Sequence, residues 1–333
     1  MRIGLSYDLK DDLAAVAGLP EDAFEEYDSL ETVDALDEAI RAQGHEVVRL
    51  GGGRGFLERV LDARVDFAFN IAEGRGNFRA REAQVPAVLE MLNIPYSGSD
   101  PLTMAVSLEK HVTKELVANA GVITPRWQLI RSLSEADTID WSGFPFPAFV
   151  KPAHEGSSKG IRLSSHVATP AALRSLVHSQ MASYAQPVMA EEFIAGDEIT
   201  VGMVGNDPPR ILGVMRVIPR TSQEHFIYSL EVKRQWRELV RYECPAALPE
   251  SVIWRIEDAC MRVYKALGIR DFARLDFRIA SNGTPYFLEV NPLPGLNPQS
   301  GDIVLMSGLL GISYRQLIAD ILNTALRRCG YAA

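Results

Sequence analysis

The stretch that most constrains the fold of this 333-residue chain is Phe272 to Asn297, which reads FARLDFRIASNGTPYFLEVNPLPGLN. Two segments with alternating apolar residues flank the pair Asn282-Gly283. An Asn-Gly pair between such segments is the strongest short-range signal of a β-hairpin. We place these two residues at the centre of the turn, and the pairing of the strands follows because the turn fixes the register.

The predicted register gives the hairpin one apolar face and one polar face. The predicted apolar pairs are Leu275 with Val290, Phe277 with Leu288 and Ile279 with Tyr286. On the other face, Asp276 lies opposite Glu289 and Arg274 lies opposite Asn291. Because side chains alternate along a strand with a period of two, these four polar side chains all point the same way.

The polar face of the hairpin predicts a cation site. Two carboxylates across a ladder lie about 5 Å apart and repel each other by about 0.2 to 1 kcal/mol, so Asp276 and Glu289 need a positive partner. Their oxygens, together with Asn291, suit Mg2+, and Arg274 could stabilise oxyanion charge. A hairpin whose polar face merely meets water is the alternative. It is disfavoured because the stiff segment Asn291–Gly295 ends the strand beside the carboxylates.

Composition limits the classes of function. The chain is 47% hydrophobic and 23% charged, which is ordinary for a soluble globular protein, and it is long enough for two or three domains. Its net charge is -9 and its basic residues are not clustered, so nucleic acid and anionic membranes are poor candidate partners. We expect a cytoplasmic protein, since no signal peptide or run of about 18 apolar residues occurs.

The first part of the chain predicts a small parallel α/β unit whose ligand edge lies at the carboxyl ends of its strands. Its predicted elements are a strand at Arg2–Tyr7, a helix at Thr32–Gln43, a strand at His45–Leu50, a helix at Phe56–Ala63, a strand at Val65–Ile71 and a helix at Ala83–Leu92. Glu73, Arg75 and Arg81 follow the last of these strands. They could contact a charged substrate, although a plain solvated loop remains open.

A strong break at Tyr96–Pro101 predicts the first domain boundary. Asp100 can cap a helix that runs from Pro101 to Gly121. Because the apolar residues of that helix share another face, Lys110 and Lys114 are predicted to be solvated.

The rest of the chain predicts a larger sheet with flanking helices. The predicted strands are Phe146–Pro152, Ile161–Ser164, Val188–Phe193 and Gly196–Val201, and the predicted helices are Pro170–Ser179, Ser251–Leu267 and Tyr314–Arg327. The loop His154–Gly160 could fold over phosphates with its backbone N–H groups and hydroxyls. The same Gly/Ser pattern also forms ordinary hairpin loops.

In their order and spacing, several short motifs resemble those of an ATP-grasp ligase of the D-alanine–D-alanine ligase family. The motifs are Ile94–Ser99, Lys110, Val150–Pro152 with Glu155–Ser158, Glu191–Ile194 with Glu198, Arg274–Asp276, Phe287–Asn291 and Pro294–Leu296. Each motif is weak alone. Together they cover most of the chain and are highly specific.

The resemblance implies a mixed α/β (α+β) protein with a three-domain ATP-grasp fold, in which a Rossmann-like α/β domain precedes two ATP-grasp subdomains. The implied domains are an N-terminal α/β domain at 1–98, a central subdomain at 99–195 and a C-terminal subdomain with the hairpin at 196–333. The implied cofactors are ATP, held between the second and third domains, and Mg2+. In this family ATP converts a carboxylate to an acyl phosphate, which an amine then attacks with release of phosphate.

By position, the resemblance also assigns roles to individual residues. The implied nucleotide contacts are Lys110, Lys151 and Lys233 at the phosphates, Glu191, Glu192, Phe193 and Ile194 at the adenine, and Glu198 at the ribose. The implied metal ligands are Asp276, Glu289 and Asn291. Arg274 would stabilise the tetrahedral oxyanion, and Ser157 would belong to the loop that closes over the phosphates. With Lys233 and Glu25, these two residues are the catalytic candidates.

The departures from the family pattern concern amino-acid recognition. The segment Tyr7–Ala23 replaces a short glycine-rich turn, so only Glu25 or Glu26 could bind the amine of the first substrate. Further candidate substrate residues are Glu73 and Arg75, in place of a His-Gly pair, Arg234 in place of a loop Tyr, and Gly295, Gln299 and Ser300 near the second carboxylate site. The ATP and Mg2+ positions match the family, so the reaction is predicted more securely than its substrates.

The leading hypothesis is therefore an ADP-forming ligase that joins amino-acid-like small molecules, with a homodimer as a possible assembly. An authentic D-alanine–D-alanine ligase is the alternative within that class. A regulatory nucleotide-binding protein that has lost turnover is a hypothesis from another class, but it would not need Arg274 beside the metal ligands. A kinase that stops at phosphoryl transfer is a further alternative, favoured if transfer needs no amine.

Overall fold

The structure is a computed structural model that describes residues 1–11, 19–221 and 225–331. Residues 12–18, which belong to the predicted departure at Tyr7–Ala23, lie outside the described residues. The described residues form three sheets, of three, four and five strands. None of the described helices is long and apolar enough to span a membrane.

The first sheet is parallel, as predicted, with strand order β2-β1-β3. Its elements and the flanking helices are β1 (Arg2–Ser6), α1 (Leu30–Arg41), β2 (Glu46–Arg49), α2 (Gly53–Asp62), β3 (Phe67–Asn70) and α3 (Gln84–Met91). Helix α1 begins where the Ser29 hydroxyl accepts a hydrogen bond from the backbone N–H of Thr32. Its apolar stripe is buried against the sheet.

The second sheet is antiparallel, with strand order β4-β7-β5-β6. The elements of this region are α4 (Pro101–Leu108), α5 (Lys110–Asn119), β4 (Trp127–Ile130), α6 (Leu133–Thr138), β5 (Ala148–Pro152), β6 (His166–Val167), α7 (Pro170–Tyr184) and β7 (Val188–Glu192). The strand predicted at Ile161–Ser164 is wrong, because a short 3-10 helix at Leu163–Ser165 precedes the two-residue β6.

The third sheet is antiparallel, with strand order β10-β9-β8-β11-β12. The elements are β8 (Gly196–Val204), β9 (Arg210–Pro219), α8 (Leu230–Arg234), α9 (Trp236–Leu239), β10 (Val240–Glu243), α10 (Glu250–Leu267), β11 (Phe272–Ala280), β12 (Pro285–Asn291), α11 (Asp302–Leu309) and α12 (Tyr314–Arg328). The sequence did not indicate β9 and β10, which together form one edge of this sheet.

The hairpin β11–β12 has the predicted register at its open end and a different one near its turn. Asp276 lies opposite Glu289, as predicted, with the flanking pairs also in place. Nearer the turn, Phe277 lies opposite Phe287, not Leu288. Ile279 lies opposite Pro285, whereas Tyr286 was predicted.

A longer turn and a β-bulge explain both halves of this register. The N–H of Ala280 donates to the Thr284 carbonyl at 3.0 Å, so the loop has three residues where two were predicted, and its last residue, Gly283, has φ +77°. Such a one-residue change alone would turn Glu289 to the opposite face. The bulge beside Asp276 inserts Leu288 as an extra residue, and the polar pairing is thereby retained.

The helix predicted from Pro101 to Gly121 is divided in two at Glu109, whose φ and ψ are -86° and 88°. This break rotates α5 relative to α4, so the face that carries Lys110 and Lys114 turns inward. The prediction that both lysines are solvated is wrong: Lys114 is fully buried, whereas the apolar Leu116 is 39% exposed.

The first and third sheets share one core with α12. Ile3 and Phe69 of the first sheet belong to the same buried cluster as Leu317 and Ile321 of α12. Beside this core, the fully buried Asp271 accepts hydrogen bonds from the Gly98 N–H at 2.8 Å, from Asn206 at 2.9 Å and from the Arg328 guanidinium at 2.8 Å. A single carboxylate therefore joins the break between α3 and α4, the β8–β9 turn and α12.

Replacing Asp271 with alanine should lower the free energy of unfolding by about 3 kcal/mol or more, because Arg328 would keep a half-buried charge without a partner. The measurement is equilibrium unfolding in urea. The matched control is Asp258→Ala, which removes an exposed carboxylate paired with Arg262 and should cost less than about 1 kcal/mol. Equal losses in the two variants would contradict a joining role for Asp271.

Candidate active site

Two cavities meet beside the hairpin. The larger has a volume of about 490 Å³ and extends from the hairpin to the loops at the carboxyl edge of the first sheet. The smaller, of about 80 Å³, lies between the second and third sheets. Both are lined by Tyr228, Lys233, Arg274, Glu289 and Asp302. A reaction at this junction could therefore use one ligand from each cavity.

The smaller cavity gathers most of the residues predicted to bind a nucleotide. Its lining includes Lys151, Glu191, Glu192, Phe193, Ile194, Glu198 and Lys233. The apolar side chain of Leu288, displaced by the bulge, also lines this cavity. Apolar walls with a few charged groups at one end are typical of small-molecule sites.

Arg278 is a buried residue of this cavity that the sequence analysis missed. Its guanidinium lies 4.7 Å from the centroid of the Phe193 ring and donates to Glu198 at 3.0 Å and to the Phe226 carbonyl at 3.0 Å. The alternation of β11 could have identified it, since Arg278 follows Asp276 by two residues and so shares its face. Arg278 thereby fixes the carboxylate of Glu198.

Two lysines converge on Glu191 behind the cavity. Lys151 lies 2.8 Å from this carboxylate, and Lys114 contacts its other oxygen. Burial opposes the ionised form of Glu191, but the two lysines together hold its pKa below the ordinary value. Burial lowers the pKa of Lys114 to about 8. Glu191 thus positions Lys151 at the cavity. Lys114, to which the sequence assigned no role, neutralises the charge of Glu191 through its other oxygen.

The predicted metal ligands converge on one face of the hairpin. The Asp276 carboxylate accepts from Thr200 at 2.9 Å and from Arg274 at 2.9 Å, and the Asn291 amide lies 3.4 Å from it. Lys110 lies 3.1 Å from Glu289. Burial opposes ionisation of Glu289, but the surrounding lysines and Arg274 hold its pKa well below the usual range.

The oxygen atoms of Asp276, Glu289 and Asn291 suit Mg2+, which also takes ligands from water and phosphate, better than a metal ion bound by protein side chains alone. The described residues hold no group of three or more His, Cys, Asp or Glu side chains that could bind a metal ion. Asp276, Glu289 and Asn291 offer two carboxylates and one amide oxygen. Mg2+ is commonly bound by one or two carboxylates together with water and substrate phosphates.

Arg274 is held rigidly where the two cavities meet. It donates to Asp276 on one side and, at 3.0 Å, to Asp302 on the other. The hydroxyl of Tyr228 also donates to Asp302, at 3.1 Å, and lies 2.6 Å from the hydroxyl of Tyr242. Asp302 and the two tyrosines were not identified from the sequence, because they come from distant segments.

The loop that contains Ser157 crosses the junction. Ser157 lines the larger cavity and Ser158 the smaller. Both have left-handed backbone conformations, at φ 48° and 60°, which cost non-glycine residues of order 1 kcal/mol or more each. The Lys110 ammonium donates to the Glu155 carbonyl at 2.7 Å and fixes the start of the loop.

The two glutamates considered for the first substrate's amine have different surroundings. Glu25 lines the larger cavity and accepts from the exposed Arg234 at 3.1 Å. Glu26 is buried and accepts from Arg81 at 2.7 Å and from Lys159 at 3.2 Å. Arg81, itself buried, is therefore a counter-ion for Glu26 and not a free contact for a charged substrate.

Three other carboxylates in the larger cavity form no direct ion pair with the described residues, although Lys10 acts at longer range on Asp28, and Arg81 on Glu73 and Glu82. Asp28, Glu73 and Glu82 line it, and none forms an ion pair within the described parts of the chain. Burial raises the pKa of Asp28 and of Glu82 to about 7 each, and raises that of Glu73 well above its ordinary value. Glu82 was not identified from the sequence, although it adjoins Arg81.

The remaining predicted substrate residues are divided between the cavity and its surroundings. Gly295, Gln299 and Ser300 line the larger cavity, where Gln299 donates to Glu31 at 2.7 Å. Arg75 is not among the lining residues, and its guanidinium pairs with Asp8 at 2.6 Å. The structure thus does not bring Arg75 to the other candidates.

Comparison with known sequences identifies relatives over most of the chain. Residues 116–323 match the family described as D-ala D-ala ligase C-terminus. The uncharacterized protein y4sG of Sinorhizobium fredii is 34% identical over 304 residues, which cover 89% of this chain and 87% of that protein. The D-alanine–D-alanine ligase of Aquifex aeolicus is 32% identical over 302 residues, which cover 89% and 94%.

Solved structures share the fold. The D-alanine–D-alanine ligase of Bacillus anthracis, solved in complex with ATP, has a TM-score of 0.75 at 24% identity and covers 98% of each chain. The VanG D-Ala:D-Ser ligase of Enterococcus faecalis has a TM-score of 0.72 at 20% identity, covering 97% of this chain and 99% of its own. The predicted ATP-grasp fold is therefore confirmed.

The raised pKa of Glu82 should make stability fall with rising pH. The folded protein holds a proton on Glu82 up to about pH 7, whereas the unfolded chain loses it near the ordinary value of 4.5. The resulting stabilisation is complete below about pH 4.5 and is lost as the pH rises through about 7. As the pH rises from 5 to 8, we expect the free energy of unfolding of Glu82→Gln to increase by about 1 to 3 kcal/mol relative to that of the wild type.

Melting temperatures of both proteins at pH 5 and pH 8 measure this difference. Glu58→Gln, which alters an exposed carboxylate on α2, is the control and should follow the wild type at both pH values. If Glu82→Gln follows the wild type too, Glu82 does not hold a proton in the folded protein.

Proposed function

The chain belongs to the D-alanine–D-alanine ligase family, and we propose on that basis that it is an ATP-dependent, ADP-forming ligase that joins two amino-acid-like substrates through an amide bond. The observation that carries this function is the position of Arg274. It is pinned between Asp276 and Asp302 where the two cavities meet. Nucleotide binding alone has no use for a rigid cation at that point.

The smaller cavity would hold the nucleotide. We place the adenine along Glu191, Glu192, Phe193 and Ile194, the ribose at Glu198, and the phosphates at Lys110, Lys151 and Lys233. The supporting observations are the apolar lining of this cavity and the convergence of the lysines on its junction with the larger one. The loop with Ser157 is placed to cover the phosphates and exclude water.

Asp276, Glu289 and Asn291 would hold Mg2+. When bound, Mg2+ neutralises charge on a transferring phosphoryl group. The protein's own cations act differently on the two carboxylates. Lys110, Lys151 and Arg274 hold the pKa of Glu289 well below its usual range despite its burial. Burial raises the pKa of Asp276 above its ordinary value, although Arg274 opposes that effect. Glu289 is thus the ligand that is charged before any metal arrives.

The larger cavity would hold both amino-acid-like substrates. The first substrate's carboxylate attacks the terminal phosphorus of ATP, which gives an acyl phosphate and ADP. The amine of the second substrate then attacks the acyl carbon, and phosphate leaves with the C–O bond electrons. Arg274 would donate hydrogen bonds to the oxyanion of that tetrahedral intermediate. Glu25, Glu73, Arg234, Gly295, Gln299 and Ser300 are the residues proposed to contact the substrates.

Ligation of two D-alanines is the second candidate. It is favoured by relatives named D-alanine–D-alanine ligase, such as the Aquifex aeolicus protein, which is 32% identical over 89% of this chain. Against it stand the acidic groups of the larger cavity, where Glu73 and Glu82 form no direct ion pair with the described residues.

The decisive experiment measures Mg2+-dependent release of ADP and phosphate from ATP with D- and L-amino acids, singly and in pairs, and records product masses. Release that requires two amino acids and gives an amide product would support the ligase. Release with D-alanine alone, with the dipeptide mass, would establish the second candidate. Phosphoryl transfer without any amine would instead indicate a kinase, and ATP binding without turnover a regulatory protein.

Asp276→Asn and Glu289→Gln should each reduce Mg2+-dependent turnover by about 100-fold or more, because each removes one carboxylate from the metal face. Steady-state rates across a Mg2+ titration measure the loss, and circular dichroism checks the fold. Asp258→Asn on the exposed face of α10 is the matched control. Wild-type rates in both site variants would remove the metal assignment.

Arg274→Ala should lower kcat about 100- to 1,000-fold, which is the usual loss when an oxyanion donor is removed. The affinity for ATP should change far less, since the guanidinium is proposed to act on the intermediate. Arg274→Lys retains the charge between Asp276 and Asp302 and should recover stability but only part of the rate. A defect confined to ATP affinity would make Arg274 a nucleotide-binding residue instead.

A further inference from the structure

The larger cavity is lined by more acidic than basic side chains. Near the junction, carboxylates are paired, as Glu289 is with Lys110. At the far end, Asp28, Glu73 and Glu82 line the cavity without any ion pair in the described parts of the chain. The negative charges of Asp28 and Glu82, when present, add to burial in raising the pKa of Glu73. Because all three line the same cavity, we treat them as one group and call it the acidic cluster.

Glu82 shows most clearly that the acidic cluster lacks a partner. Its residue is only 7% exposed and still lines the cavity, yet its carboxylate forms no hydrogen bond or ion pair with the described residues. The adjacent Arg81 points to Glu26 and Glu155 instead, at 2.7 and 3.1 Å. The nearest cation in the sequence is thus committed elsewhere.

A buried carboxylate without a partner is unfavourable, and it either retains a proton or pairs with a cation. An alanine-like substrate offers too few cationic groups for this set of acceptors. Such a substrate brings one ammonium group, whereas the acidic cluster offers three carboxylates in the cavity that Glu25 also lines. The cavity therefore has capacity for additional positive charge on a ligand.

The arrangement of the three carboxylates favours an organic cation over a metal ion as their ligand. No group of three or more His, Cys, Asp or Glu among the described residues is placed to bind one metal ion. The three carboxylates come from separate segments, namely the loop before α1, the loop after β3 and the turn before α3. An ammonium or guanidinium on a flexible side chain presents several donors and can reach such separated acceptors.

We propose that the acidic cluster binds a cationic side chain, an ammonium or a guanidinium, on one of the two amino-acid substrates. This inference rests on the proposed ligase function, because it assigns a chemical class to a substrate of that reaction. Glu82 and Glu73 are its principal contacts, and Asp28 completes the acceptor set. The substrate is thus a basic amino acid or a diamino acid, not alanine.

Binding by calorimetry tests this inference without turnover. The ligands are matched pairs of similar size that differ in charge: lysine with norleucine and arginine with citrulline, as D- and L-isomers. We expect the wild type to bind at least one cationic member about tenfold more tightly than its neutral partner, the usual scale of a charge-assisted hydrogen bond. Equal affinities in every pair would overturn the inference.

Variants distinguish a contact from a structural role. Glu82→Gln should abolish the preference for the cationic member and leave the melting temperature unchanged or higher, because glutamine stays neutral and avoids the cost of ionising a buried carboxyl group. Glu58→Gln, an exposed change on α2, should retain both the preference and the melting temperature. A preserved preference in Glu82→Gln, or an equal loss in Glu58→Gln, would overturn the assignment of the acidic cluster.

Turnover separates this inference from the proposed function. Ligation of cationic substrates with higher kcat/KM than their neutral partners would support both. Ligation with no advantage for the cationic member would retain the ligase and overturn the inference. Selective binding of cationic amino acids without amide formation would retain the acidic cluster as a cation site and reject the ligase.

Discussion

The opposition of Asp276 and Glu289 across one rung of the hairpin is the constraint on which the rest of the site depends. Two carboxylates so placed repel each other, and burial increases that cost. Arg274 and Lys110 offset it locally. Each of these cations then requires a fixed position, which Asp302 gives to Arg274 and the Glu155 carbonyl gives to Lys110. Charge compensation thus links the hairpin to three distant segments.

Local periodicity was enough to predict the part of the hairpin that carries the chemistry. The alternation of β11 and β12 placed Asp276 opposite Glu289, although the assumed turn was one residue too short. The error did not reach the site because the bulge at Leu288 compensates for it. Periodicity failed for α5, since a break at one residue, Glu109, rotated the inward face and buried Lys114.

Residues whose position depends on contacts between distant segments could not be predicted from pattern alone. Asp302 contacts Arg274 from a helix that the sequence did not indicate. Glu82 lines the larger cavity, whereas the sequence analysis selected only its neighbour Arg81. Arg75 shows the converse case, since its position after a strand predicted a ligand contact while its guanidinium turns to Asp8. The family motifs predicted the ATP-grasp fold but did not specify this charge balance.

The core shared by the first sheet and α12 has a consequence for how the protein forms in the cell. Ile3 and Phe69 are made early, whereas Leu317 and Ile321, which belong to the same buried cluster, leave the ribosome much later. Until then the cluster is incomplete, although α1 already packs on this side of the sheet, and partly exposed apolar surfaces are prone to aggregate during synthesis. The nascent chain therefore gains most from chaperone protection over its amino-terminal third, even though that region alternates strands and helices in a locally simple order.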